Sequence, residues 1–288
     1  MKKAHRNRLV LLSGLVLFFL FCIQAGARKP LTVSRYTVLT GDNAFRVVHL
    51  TDLHNSEFGE QNKQLVDIVS DLEPDLILIT GDLLNQNEER TDAAAVLIKQ
   101  LTALAPVYVS FGNHEMGHEL RYRSDLKLLY EEAGAAVLDF TYEDLEIEGN
   151  AIRLGGFYGY GLPEKYLQTG EAIQRECDFL DDFQNTERFT ILLAHIPYTW
   201  LALDGLEEWN VNCVFSGHVH GGQVRLPLIG GMWAPDQGWF PGREAGLYWS
   251  EDNTRVMVLS RGLGSDREWL PRLNNPPEIV CVDFLPAG

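Results

Sequence analysis

Asp52, His54, Asp82, Asn113, His114, His195, His218 and His220 are the residues whose types and spacing could do chemistry. Each set directly follows an apolar run. Asp52-Leu53-His54 follows residues 45–51, Gly81-Asp82 follows 75–80, and Gly112-Asn113-His114-Glu115 follows 106–111. His195 follows 189–194, and Gly217-His218-Val219-His220 follows 212–216. Of the eight histidines, only His5, His49 and His118 lie elsewhere. Any one of these patterns is an ordinary turn or a satisfied core residue; together they deliver carboxylate, amide and imidazole to one place. Without cysteine, such donors suit Mn²⁺, Fe or Zn²⁺. Two carboxylates, one amide and four imidazoles exceed a single tetrahedral site. They suit two divalent ions sharing a bridging carboxylate, a device of phosphoryl chemistry.

The elements that must position these donors are legible. The runs 45–51, 75–80, 106–111, 189–194 and 212–216 read as strands, with helical patterns over 60–72, 91–104 and 119–133. Strands alternating with helices predict right-handed crossovers and a largely parallel sheet. Ligands of such sheets bind beyond the carboxyl ends of the strands, where all five sets fall. From 136 to 158 the strands shorten, predicting a meander, and further strands are expected at 246–250, 254–260 and 278–284. Residues 163–188 read as an acidic amphipathic helix. The expected organisation is one mixed α/β catalytic domain over 30–288, preceded by a separate segment over 1–29.

That ordered set, D-x-H, G-D, G-N-H-E, H and G-H-x-H, resembles the calcineurin-like metallophosphoesterases. The resemblance implies a two-sheet β-sandwich flanked by helices, a four-layer αββα arrangement. It implies that Asp52, His54 and His220 hold one ion and that Asn113, His195 and His218 hold the other, with Asp82 bridging. His114 would donate the proton to the leaving group, after attack on phosphorus by a hydroxide held between the metals. Asn85, three residues after Asp82, stands where many relatives have an aspartate that orients the catalytic histidine. A neutral partner there would stabilise a protonated His114 less than a carboxylate does.

Charge and the N-terminus narrow the function further. The net charge is −16. Six of the 24 basic residues and no acid lie in the first 29 positions, leaving 18 basic against 40 acidic. Such a domain repels a phosphate backbone, so nucleic-acid binding is excluded. Basic residues 1–8, the apolar run Leu9–Ile23 and the small stretch Ala25-Gly26-Ala27 read as a signal peptide or an uncleaved signal anchor. The charge rule then places the catalytic domain on the extracytoplasmic side, attached to or released from the membrane. Cys177, Cys213 and Cys281 show neither disulfide nor metal-site spacing.

Residues 221–249 are rich in Gly, Pro and aromatics; they read either as a covering loop or as an apolar lip for an acyl or aryl group. With residues 260–264 and 272–278, this stretch is similar to a membrane-associated branch of the family that includes enzymes resembling UDP-2,3-diacylglucosamine hydrolases. Arg225, Arg261 and Arg272 are candidate phosphate contacts, but each reads more readily as a surface or structural arginine. The expected activity is metal-dependent hydrolysis of a phosphodiester or lipid-linked phosphoester at the envelope. The pyrophosphate hydrolysis of lipid A synthesis and a non-catalytic metal-binding scaffold are the alternatives.

Overall fold

The structure, a computed structural model, describes residues 13–14, 30–40, 44–265 and 272–286. The expected N-terminal segment therefore falls almost wholly outside the described residues, among which no helix is long and apolar enough to cross a membrane.

Two six-stranded sheets form the centre. The first contains β1 (Thr32–Leu39), β2 (Phe45–Leu50), β3 (Leu76–Ile79), β4 (Val107–Val109) and β5 (Ala136–Val137). Its helices are α1 (Lys63–Asp71), α2 (Asp92–Leu101), α3 (Asn113–Tyr122) and α4 (Leu126–Glu132). The second sheet opens with the antiparallel pair β6 (Thr141–Ile147) and β7 (Asn150–Phe157), followed by helix α5 (Gln174–Gln184). It continues through β8 (Phe189–Ala194), short helices α6 (Tyr198–Ala202) and α7 (Gly205–Glu208), and β9 (Cys213–Ser216). Two small hairpins follow: β10 (Arg225–Leu226) with β11 (Gly230–Gly231), and β12 (Trp233–Ala234) with β13 (Gly238–Trp239). The chain closes with β14 (Gly246–Trp249), β15 (Val256–Leu259) and β16 (Glu278–Leu285). Strand order is β1-β16-β2-β3-β4-β5 in one sheet and β14-β15-β9-β8-β7-β6 in the other.

Side-chain alternation explains the layering, because successive residues of a strand face opposite sides. In β3, Leu76 and Leu78 join the core between the sheets, while Ile77 and Ile79 meet Leu65, Leu97 and Ile98 of the helices. In β8, Ile191 and Leu193 face inward, and Leu192 and Ala194 meet Phe183 and Leu180 on α5. The result is helix, sheet, sheet, helix, as expected. Runs β2-β3-β4-β5 and β7-β8-β9-β15 are parallel.

Four local expectations change. The helix expected over 119–133 is two helices: α3 begins earlier, at Asn113, and ends at Arg123, which takes left-handed backbone. Residues 163–188 form a short 3₁₀ turn before α5, since Gly170 interrupts them with positive φ. The region 136–158 is split: β5 completes the first sheet and β6–β7 begins the second. Strand β1 was not expected from its mixed polar pattern; it is an edge strand whose only partner is β16. Cys177, Cys213 and Cys281 are free and buried, as small apolar residues.

Leu193 lies between the sheets two residues before His195 and is inaccessible to solvent. Leu193→Ala should lower the unfolding free energy by about 2–5 kcal/mol, the range for a buried Leu truncated in a close-packed core. Urea titration of the two proteins measures it.

Candidate metal centre

The carboxyl ends of β2, β3, β4, β8 and β9 converge on one edge of the sandwich. Asp52 and His54 leave β2, Asp82 leaves β3, Asn113 and His114 begin α3 after β4, and His195 leaves β8. His218 and His220 follow β9. Three sets of donor atoms lie within 4.8 Å of one another: Asp52, His54 and His220; His54, Asp82 and His114; and Asp82, His195 and His218. All seven of these residues are buried. Asn113 is held beside them by the His114 N–H, which donates to Asp82 Oδ1 at 2.8 Å.

Backbone strain marks the same place. Asp52 (φ 52°), His54 (48°), Asp82 (53°), His218 (71°) and His220 (47°) all occupy left-handed backbone. Such conformations cost on the order of 1–3 kcal/mol each in a non-glycine residue and persist only when their surroundings over-determine them. Here the surroundings do. The His54 N–H donates to Asp82 O at 3.0 Å, and the Asp52 N–H donates to Gly81 O at 3.0 Å. The Asp52 carboxylate accepts the His218 N–H at 3.0 and 3.1 Å. Gly81 and Gly112 let the β3 and β4 loops touch, because a Cβ on either would overlap the other loop.

Glu115 completes the scaffold. Its carboxylate is inaccessible and accepts the N–H groups of Asp82 (2.7 Å), Leu83 (2.8 Å) and Gly112 (2.9 Å), with the Tyr130 hydroxyl at 3.3 Å. Burial and the Asp82 charge push its carboxyl up, against those three N–H groups. Sequence reasoning quoted Glu115 within G-N-H-E but gave it no role. The available signal was its place as the third residue of a helix starting directly after a strand, where a glutamate reaches back to free N–H groups.

The donor atoms suit a cation. His54 Nε2, His195 Nε2, His220 Nδ1 and Asn113 Oδ1 are buried without a hydrogen-bond partner in the protein. Buried polar atoms seldom go unpaired, and these four share one edge. The opposite ring nitrogens of two of them are fixed: His54 Nδ1 donates to Asn85 Oδ1 (3.1 Å) and His195 Nδ1 to Thr80 O (2.5 Å). Each ring therefore turns its other nitrogen inward, as partners of this kind do for metal-ligating histidines. Burial holds His54 near 3, and burial with the adjacent His54 holds His220 well below the usual range, so both stay neutral. Burial alone would raise Asp82, yet His195, His54 and His114 hold its carboxyl ionised. His195 is lowered by burial but raised more by Asp82, 3.2 Å away, and by Asp52, to about 10.

One expectation about neighbouring residues changes, and one choice between readings is narrowed. Asn85 meets His54 rather than His114; the Gln86 N–H instead donates to His114 Nδ1 at 3.1 Å. Backbone after the β3 loop thus supplies the partner that a side chain was expected to supply. The three arginines are already committed to the fold. Arg225 pairs with Glu244 at 2.7 Å, Arg261 pairs with Glu278 at 2.8 Å, and Arg272 donates to the carbonyls of Arg261, Gly264 and Asn275.

One residue of the 221–249 stretch enters the site without having been anticipated. Asp236 Oδ2 lies 3.0 Å from His218 Nε2. Its signal was that Asp236 and Glu244 are the only two acids in that apolar stretch, and each is held by a named contact.

Comparison with known proteins agrees with this geometry. The sequence model of the calcineurin-like phosphoesterases matches residues 45–222. The uncharacterized metallophosphoesterase YkuE of Bacillus subtilis is 27% identical over 267 residues, covering 86% of this chain and 82% of that protein. Phosphodiesterase YaeI of Escherichia coli K12 is 27% identical over 254 residues, covering 85% and 84%. Among solved structures, a dimetal phosphatase from Danio rerio aligns with TM-score 0.44 and 12% identity over 77% of this chain and 88% of that one. The chain belongs to the calcineurin-like phosphoesterase family, and the protein is a phosphoester hydrolase.

Asp236→Ala removes the partner that orients His218. Divalent-metal affinity should fall about 10–100-fold, the usual cost of losing such a partner. Titration against a fluorescent chelator measures it, with circular dichroism unchanged.

Proposed function

We propose that the protein is a binuclear metal-dependent phosphodiesterase acting on a lipid-linked or other envelope phosphoester. The observation that carries the reading is Asp82, whose buried carboxylate belongs to two donor sets at once. In this reading Asp52, His54 and His220 hold one ion, Asn113, His195 and His218 hold the other, and Asp82 is shared. Bound divalent ions supply an acidified water and charge neutralisation on phosphoryl oxygens. Preference for a diester is supported by likeness to a relative named as a phosphodiesterase. The envelope is supported by the apolar segment before residue 30 and by the charge rule, which puts the domain on the extracytoplasmic side.

The chain's own residues do the rest. Because His114 Nδ1 accepts the Gln86 N–H, a neutral His114 carries its proton on Nε2. To act as a general acid the ring takes a second proton on Nδ1, releasing the Gln86 N–H; the Nε2 proton then passes to the departing oxygen and leaves a neutral imidazole. The His114 N–H donates to Asp82 Oδ1, which ties the backbone of the acid to the shared carboxylate. Glu115 holds the Asp82 and Gly112 backbones together, which keeps the two loops in register. Preorganised groups of this kind are the main source of charge stabilisation in phosphoryl transfer.

Hydrolysis of bis(p-nitrophenyl) phosphate with and without added Mn²⁺ tests the reading. His114→Ala should lower kcat about 10²–10⁴-fold, the share that general acid catalysis supplies, with bound metal retained by elemental analysis. Asp82→Asn should lose both metal and turnover. Undiminished turnover in His114→Ala sinks the role given to that residue; retained metal in Asp82→Asn sinks the shared site.

A further inference from the structure

An exposed apolar rim surrounds one side of the metal centre and is used by nothing described so far. Hairpins β10–β11 and β12–β13 follow His220 directly and are seated on the site. Met232 N donates to the carbonyls of Gly222 and Val224, Gly222 and Gly231 are back to back, and Asp236, in the turn of β12–β13, meets His218. Their projecting residues are apolar. Leu228 is fully exposed, and Ile229, Trp239 and Phe240 are 62%, 68% and 59% exposed. Large apolar side chains grouped this way on a soluble surface mark a contact with another phase or partner.

The entry point of the chain says which. The Thr32 N–H and hydroxyl both donate to Pro277 O, and Arg261 Nη2 donates to Thr32 Oγ1 at 3.2 Å. The next residue of that segment, Glu278, donates its N–H to Gly262 O, and Gly262 lies against the Asp52 side chain. Residue 30 therefore joins the fold at the metal-centre edge, and the apolar run Leu9–Ile23 lies only a few residues earlier in the sequence. Charge points the same way. Within 221–249 there is no lysine, Arg225 is paired with Glu244, Arg243 is a single exposed cation, and the domain as a whole is acidic, so attraction to anionic headgroups is not the main driving force. Aromatic and aliphatic side chains entering the headgroup–acyl boundary are.

We propose that Leu228–Ile229 in the turn of β10–β11 and Trp239–Phe240 at the end of β13 dock into the surface of a phospholipid bilayer, turning the metal centre toward the lipid headgroups. The contact is separate from the segment before residue 30 and does not depend on which phosphoester is cleaved. An acyl-bearing phosphoester lying in that surface would meet the metal edge without leaving the bilayer.

The full chain is reconstituted in phosphatidylethanolamine–phosphatidylglycerol vesicles containing acyl-brominated phosphatidylcholine, and tryptophan quenching is read. No tryptophan precedes Trp200, so the N-terminal segment is silent. Trp239→Phe should remove a quenched component. Trp249→Phe should not, since Trp249 pairs with Val256 at the end of β14 remote from the site. The double variant Leu228→Ser, Ile229→Ser changes only exposed side chains and should weaken quenching of Trp239, and high salt should leave quenching intact. Quenching that is the same with and without Trp239 overturns the proposal. So does its loss in high salt, or a dimer by light scattering that the double variant dissolves.

Discussion

Everything at the functional edge depends on keeping the Asp82 carboxylate ionised inside the protein. A lone buried carboxylate is costly, and the usual outcome is that it takes a proton. Here three imidazoles face it, the His114 N–H donates to it, and Glu115 pins the backbone on which it stands. The loops after β3 and β4 must touch for this to happen, which explains glycine at 81 and 112. The convergence of five strand ends is thus a solvation requirement as much as a catalytic one. A site drawn together around one charge is also suited to receive a larger opposite charge.

The left-handed backbone at five candidate ligands follows from the same demand. Strand direction carries side chains above and below the sheet, but donors aimed at one point must turn off the strand axis abruptly. Left-handed residues make that turn, at a conformational cost that the core between the sheets and the backbone links among loops offset. Leu78, Leu193 and Phe215 are packed within a few residues of Asp82, His195 and His218. Packing therefore holds the loops at their roots, while Glu115 and the Asp52 carboxylate hold them at their tips.

The outward parts of the molecule divide by chemistry. Arginines that a reading of residue types offers as phosphate contacts are absorbed into the fold, and a single aspartate from an apolar loop reaches the candidate ligand His218. The exposed residues of that stretch include the apolar Leu228, Ile229, Trp239 and Phe240.

Much was legible in the sequence because it is local. The continuous apolar runs of β3 and β8, the helical stretches between strands and the placement of Asp, Asn and His directly after apolar runs are properties of a few consecutive residues. They are enough to place the donors at one edge, since parallel strands end on the same side. Edge strand β1 was not legible, because its polar face gives no core signal until β16 pairs with it. The break of the 113–132 helical region at Arg123 also depends on context, as left-handed backbone there ends one helix and frees Asp125 to cap the next. Partners were the least legible of all. That Asn85 meets His54, that Gln86 meets His114, that Asp236 meets His218 and that Asp52 holds the His218 backbone 166 positions away are decided by how the sheets stack and where the loops come to rest. The sequence by itself determined which donors exist and which edge they share, because both follow from strand periodicity; the tertiary structure alone decided which donor leans on which neighbour, because hydrogen bonds over a few ångströms depend on packing that no local pattern encodes.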